Sequence, residues 1–259
     1  MTGPPSPGRR ELLRLAGVAL GAPLLAAAGT ACAGPVPERL VPPAPADPAT
    51  IRVSSSGLQP LGLGGERDGV VYLPSGPAGR AAPLLVMLHG AGGTGRRAAS
   101  LVLSQAEMWG CAVLAPDARG DTWDAMTGGF GPDVRFLERA LAATWKRADI
   151  DPARVAVAGF SDGATYALAL GRANGALFGA VLAFAPGFLI QVRAAGAPRC
   201  FVAHGLRDEV LPIDRCSRRI VPALRRAGYS VTYREFDGPH AVPPEVAGDG
   251  LRWFLQPSA

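Results

Sequence analysis

The sequence predicts an α/β fold, one mostly parallel twisted sheet with helices on both faces. Three observations carry this: strand-length apolar runs alternate with helix-length segments from about residue 51 onward, the strand runs are apolar almost throughout, and no internal repeat is visible. The strand runs are 84–88, 112–115, 154–158, 180–184, 200–203 and 230–236, and helical patterns at 97–109, 132–147, 162–173, 213–227 and 244–255 alternate with them. Residues 52–56 and 70–73, with the glycine-rich 61–65 between them, read as an antiparallel opening to the sheet. These elements make a single domain, 51–259, of a size that supports a substantial core.

Composition narrows the class. The chain has 259 residues, 48% hydrophobic and 18% charged, which excludes a disordered or fibrous protein. All but one of the 26 basic residues are arginines, and with the heavy use of Ala, Gly and Pro this reads as a GC-rich genome, not as a functional mark. The formal charge is +5, but the chain beyond residue 32 holds 23 basic and 20 acidic residues. Its arginine pairs at 96–97, 218–219 and 225–226 lie far apart in sequence and aromatics are only 7%, so no nucleic-acid partner is expected.

Residues 1–33 read as an export signal. Arg9-Arg10 is a twin-arginine pattern, and the uncharged stretch that follows is rich in Ala and Gly and broken by Pro23, which suits a removable segment better than a membrane span. Gly29-Thr30-Ala31-Cys32 resembles a lipobox, with Gly29 where Leu is usual; Ala31-Cys32-Ala33 is also an ordinary cleavage site. The first places the protein on the outer face of the cytoplasmic membrane through a lipidated Cys32, and the second secretes it. Residues 34–50 hold six prolines and read as an extended tether. Of the remaining cysteines, 111, 200 and 216, at least one is unpaired within the chain, and Cys111 and Cys200 open strands as buried thiols. No Cys-x-x-Cys or His-Glu-x-x-His occurs and there are three histidines in all, so neither a metal nor a cofactor is implied. A monomer is expected.

Three strand ends carry candidate chemistry. The run 154–158 leads into Gly159-Phe160-Ser161-Asp162-Gly163, and a helix leads out. Such a match alone is weak in a glycine-rich chain, but the strand–turn–helix context is specific. A sharp turn exposes the Ser161 hydroxyl at a helix N-terminus, where the dipole favours developing negative charge. The alternative is a glycine-flanked turn with an incidental serine. The loop His89-Gly90-Ala91-Gly92-Gly93 can aim the Ala91 N–H, or as second choice that of Gly92, at an oxyanion, with the Asp162 N–H as partner donor. Neither a phosphate-loop Lys-Ser/Thr nor a dinucleotide-binding spacing follows, and His89 is expected to order the loop. Asp208, past the run 200–203, and His240, past 230–236, fall at the same sheet edge. A serine hydroxyl needs an imidazole to take its proton, and the imidazole needs a carboxylate to fix its tautomer. Asp214 and Asp237 compete with Asp208, but Asp214 falls inside a helix and Asp237 is too close in sequence to His240.

These motifs resemble the α/β-hydrolase superfamily, in particular its phospholipase/carboxylesterase and polyhydroxybutyrate-depolymerase or feruloyl-esterase-like branch. The resemblance covers roughly 58–255. It rests on Leu88-His89-Gly90-Ala91-Gly92-Gly93, Gly159-Phe160-Ser161-Asp162-Gly163, His204-Gly205-x-x-Asp208-x-Val210-x-Pro212 and Gly238-Pro239-His240, with Asp133-Val134-Arg135-Phe136-Leu137 similar to a helix start of the depolymerase-like members. It implies an α/β-hydrolase fold and an exported carboxylic-ester hydrolase with Ser161, Asp208 and His240 catalytic and an oxyanion hole at Ala91 and Asp162. Asp162 departs from the Gln or Ala usual there, which disfavours anionic substrates. Only about thirteen residues separate 184 from the next strand, so no cap domain is expected and the site is open to small-molecule or polymer esters. Trp123, Phe130 and Gly92 are candidates for the substrate pocket, with Phe188 and Leu189 as a further apolar wall. The competing readings are a peptidase, a polyester or feruloyl esterase, and a non-catalytic surface binding protein on the same scaffold.

Overall fold

The computed structural model describes residues 38–43, 56–75 and 81–256. The export signal with Cys32, most of the tether and residues 52–55 of the expected first strand lie outside them. The described residues belong to one compact unit built on an eight-stranded sheet in the order β1-β2-β4-β3-β5-β6-β7-β8. The strands are β1 (Gly57–Pro60), β2 (Gly69–Leu73), β3 (Ala82–Leu88), β4 (Ala112–Pro116), β5 (Ile150–Phe160), β6 (Ala180–Phe184), β7 (Arg199–Gly205) and β8 (Val231–Phe236). The β1–β2 and β2–β4 pairs are antiparallel and every other pair is parallel.

Alternation along the strands builds two cores. Leu84, Val86, Leu88, Leu114, Val157, Val181 and Val202 face α3 (Pro132–Trp145), α4 (Asp162–Ala173) and α5 (Ser217–Arg226). Leu85, Met87, Val113, Ala156, Leu182 and Phe201 face α1 (Gly95–Ser100), α2 (Leu103–Trp109) and α6 (Pro244–Leu255). Both faces of the sheet are therefore apolar, which is why these strands read as unbroken hydrophobic runs. The connection from β6 to β7, 185–198, contains no helix or strand.

Two expectations are corrected. The helix expected over 97–109 is two helices, because Val102 adopts a non-helical φ of −128° and ψ of −7°. The Ser100 hydroxyl donates to the Arg97 carbonyl (2.7 Å), a local bond that competes with helix continuation. Part of the expected tether, 38–43, is instead docked on the domain. Leu40 is buried in the core, its N–H donates to Asn174 Oδ1 (2.8 Å), and the Asn174 amide donates to the Glu38 carbonyl (2.8 Å). The Glu38 carboxylate accepts from the Arg193 N–H (3.0 Å) on the β6–β7 connection. An asparagine just past α4 thus serves both as helix terminator and as the receptor for an arriving segment.

Docking makes the segment part of the stability of the fold. Leu40→Ala is expected to lower the unfolding free energy by about 2 kcal/mol in urea denaturation. A change below about 0.5 kcal/mol would mean that the segment does not hold in solution.

Candidate active site

The turn from β5 to α4 leaves almost no free space. Ser161 sits at φ 57° and ψ −121°, a strained conformation for a residue with a side chain. The turn is tight enough that a Cβ on Gly159 would lie 2.2 Å from the Gly163 carbonyl carbon, and one on Gly163 would lie 2.4 Å from the Leu88 carbonyl oxygen. The Ser161 N–H donates to the Phe184 carbonyl (3.0 Å) and its carbonyl accepts from Ala164 and Thr165, so the backbone is held on both sides. The hydroxyl projects at the N-terminus of a twelve-residue helix.

His240 arrives from the other end of the sheet. The chain after β8 folds back over β7, where the Leu206 N–H donates to the Phe236 carbonyl (2.8 Å) and the Arg207 N–H to the Gly238 carbonyl (2.9 Å). Gly205 permits this, because a Cβ there would lie 2.4 Å from the Gly238 oxygen. His240 Nε2 is 3.0 Å from Ser161 Oγ, and Nδ1 is 2.6 Å from Asp208 Oδ2. A carboxylate only accepts, so Nδ1 carries the proton and Nε2 presents its lone pair to the serine hydroxyl. The Phe160 ring packs 4.7 Å from the imidazole. Asp214 and Asp237 stand apart, ion-paired to Arg218 and Arg207 at the surface.

The loop after β3 is pinned on all sides. His89 Nδ1 donates to the Gly90 carbonyl (2.7 Å), and its Nε2 accepts the Ala118 N–H (2.9 Å). Arg67 donates to the Ala118 and Gly93 carbonyls (2.5 and 2.9 Å). The Gly92 N–H donates to the Asp121 carbonyl (2.7 Å), which removes it as an oxyanion donor. Among the described residues, no acceptor engages the N–H groups of Ala91 and Asp162. A cavity of about 260 Å³ opens beside Ala91, walled by Ala91, Gly92, Arg97, Ala98, Leu101 and Phe160.

No family model matches the chain, and no curated protein matches it in sequence. Solved structures do match. Esterase PE8 is similar with a TM-score of 0.58 and 22% identity, over 72% of this chain and 97% of its own. The serine hydrolase FphF of Staphylococcus aureus gives 0.61 and 12%, over 73% and 92%. The S-formylglutathione hydrolase FrmB of the same organism gives 0.60 and 14%, over 72% and 92%. The chain has the α/β-hydrolase fold.

Within this α/β-hydrolase fold, the pocket candidate Trp123 is a support and Phe130 is half-buried. Trp123 is 1% exposed; its indole N–H donates to the His89 carbonyl (2.8 Å) and its ring stacks on Tyr166. Phe130 stacks on the other end of Tyr166 and packs against the core instead of lining the cavity. Gly92 does line it. The loop bearing Trp123 is itself fixed by two aspartates: Asp133 accepts from the Arg119 and Asp124 N–H groups (2.6 and 2.7 Å), and Asp124 accepts from Gly131, Asp133 and Tyr166. Burial pushes the Asp133 carboxyl up from its ordinary range. The same loop donates from Thr122 Oγ1 to Asp162 Oδ2 (2.6 Å) and so reaches the nucleophile turn. Sequence reasoning missed Arg67 and Thr122; one arginine among many and one loop threonine carry no local pattern.

Burial also lowers the His89 pKa from its ordinary 6.5, the nearby Arg67 adding to the effect. A histidine with a lowered native pKa contributes stability that is complete above the unfolded value and is lost as pH falls below 6.5 toward the native value. The urea midpoint of the wild type is therefore expected to drop between pH 7.5 and 5, and His89→Gln to drop less over the same interval. An equal drop in both proteins would remove His89 as a source.

Proposed function

We propose that the protein is a serine hydrolase of carboxylic esters acting through an acyl-enzyme. The observation that carries this is the unbroken chain from Ser161 Oγ through His240 to Asp208, at 3.0 and 2.6 Å, beside two N–H groups with no acceptor among the described residues. His240 Nε2 takes the hydroxyl proton as Ser161 Oγ bonds to the ester carbonyl carbon. The carbonyl oxygen becomes an oxyanion held by the N–H groups of Ala91 and Asp162, with the start of α4 adding its dipole. Collapse expels the alcohol, which leaves with the proton from His240. Water then attacks the acyl-enzyme with His240 again as base, releasing the acid and restoring Ser161. Asp208 holds the Nδ1 proton throughout and balances the imidazolium. The likeness to structures described as esterases supports this reading.

The twin-arginine pattern and Cys32 support export, with the domain at the outer face of the membrane or secreted. The cavity of about 260 Å³ beside Ala91 and Phe160, walled also by Ala98 and Leu101 of the α1 region, supports a short substituent on the scissile carbonyl. A second reading, a polyester or other apolar polymer as substrate, draws on three exposed side chains: Phe188, Leu206 and Val210 are 52%, 46% and 67% exposed on the connections that follow β6 and β7. Those connections leave the sheet edge that bears the site.

Purified protein is expected to hydrolyse p-nitrophenyl acetate and butyrate, and Ser161→Ala to lose at least about 1,000-fold in kcat. Absence of turnover by the wild type on every ester from acetate to palmitate and on polyhydroxybutyrate films would sink the reading and favour a binding role on this scaffold. Leu101→Trp, which fills the cavity, is expected to lower kcat/KM for hexanoate relative to acetate by roughly 10-fold. An unchanged ratio would place the acyl chain elsewhere.

A further inference from the structure

Asp208 is engaged by more than His240. Three N–H groups donate to its carboxylate, His240 Nδ1 to Oδ2 (2.6 Å) and the Val210 and Leu211 backbones to Oδ1 (3.0 and 2.7 Å), and His204 Nε2 lies 3.1 Å from Oδ2. The His204 and Asp208 side chains have no exposed surface. His204 Nε2 also faces the Leu211 carbonyl at 2.8 Å. A carbonyl only accepts, so Nε2 carries the proton, donates it to Leu211 and holds its N–H dipole beside Asp208 Oδ2. Nδ1 is left with a lone pair, and Ser217 Oγ, the first residue of α5, donates into it at 2.6 Å. Two different segments therefore fix one tautomer of a fully buried imidazole, and that tautomer places its N–H dipole 3.1 Å from the oxygen that holds His240. A residue serving only to fill the core at this point needs no ring nitrogen on that oxygen.

We propose that His204, locked by Ser217, is a positioning residue for Asp208, and that its N–H dipole beside Oδ2 limits how strongly that oxygen draws on the Nδ1 proton of His240. This rests on the serine-hydrolase reading above. A carboxylate oxygen shared between two donors offers less charge to each. Removing one donor leaves Oδ2 freer to turn and more basic toward the other, so the imidazolium form of His240 becomes easier to make and harder to discharge.

The surroundings favour a neutral His204. Burial, the largest influence, lowers its pKa from the ordinary value, and the neighbouring His240 acts in the same direction. Across the strand register lies Glu235 of β8, which is paired with Arg218 of α5; Asp214 is paired with the same arginine at the surface. Cys216, just before α5, is a buried thiol pushed up from its ordinary value by burial and by Asp208. His204 therefore acts as a fixed donor through the range in which an ester hydrolase is assayed.

The test is the pH dependence of kcat and kcat/KM on p-nitrophenyl butyrate for wild type, His204→Ala, His204→Gln and Ser217→Ala, with functional sites counted from the nitrophenol burst. His204→Ala is expected to lose roughly 10- to 100-fold in kcat per functional site, with KM within about twofold. Its acid limb should move to higher pH by about half a pH unit. His204→Gln, whose amide N–H reaches the same oxygen, should recover most of kcat and return the limb toward its wild-type position. Ser217→Ala should show a smaller shift in the same direction, and it carries the test if His204→Ala does not fold. A loss that is equal at every pH, with unshifted limbs and no recovery by Gln, would overturn the proposal and leave His204 a core residue. A wild type that turns over no ester would overturn the hydrolase reading itself, a result distinct from either.

Discussion

The arrangement turns on one steric constraint, the contact of the first turn of α4 with the ends of β3 and β5. Backbone meets backbone there with no room for a single methyl group at Gly159 or Gly163. The contact forces Ser161 into its strained conformation and lifts its hydroxyl clear of the sheet. It also sets the distance between the serine and the loop after β3, because the atoms that Gly163 abuts are the carbonyls of Leu88 and His89. The nucleophile and the Ala91 N–H are thus placed by one packing event. The strain at Ser161 is offset by the two apolar cores on either face of β5, one of which also buries α4.

Around that contact, three loops interlock through bonds that leave the reacting groups free. The loop 117–131 gives Asp121 to Gly92, Thr122 to Asp162 and Trp123 to His89, and is itself held by Asp124 and Asp133. The β7–α5 segment gives Asp208 two backbone donors and the neighbouring His204 ring, and the chain after β8, hung on β7 by two backbone bonds, brings His240. The result is preorganisation: donors and acceptors in the site are either committed to support or directed at the place where substrate reacts. His89 and His204 share this logic. Each is a buried imidazole whose tautomer is dictated by neighbours, and each supports backbone or carboxylate.

Much of the fold was legible because a parallel sheet covered on both faces writes itself as apolar runs at helix-length intervals. The runs at 84–88, 112–115 and 180–184 coincide with β3, β4 and β6 to within a few residues. The break at Leu101–Val102 was not legible, since neither residue is a helix breaker and the interruption arises from a serine back-bond and packing on the sheet. Ser161, Asp208 and His240 were nominated by their places at strand ends, and the structure brings those three side chains into one hydrogen-bonded chain. Trp123 misled because an aromatic residue in a loop at the right sheet edge looks the same in sequence whether it faces a pocket or props the loop from beneath. The docked Leu40 was hidden for a related reason: a proline-rich composition reports chain stiffness, not whether one leucine within it finds a core.

The central claim is that Ser161 is a nucleophile made reactive by its setting, and covalent trapping tests it most directly. The protein is incubated with a p-nitrophenyl alkylphosphonate and analysed by intact mass and by peptide mapping. One phosphonyl group per chain, located on Ser161 and absent from Ser161→Ala, is the result this account predicts. No adduct on the folded protein, or an adduct that persists in Ser161→Ala, would contradict it.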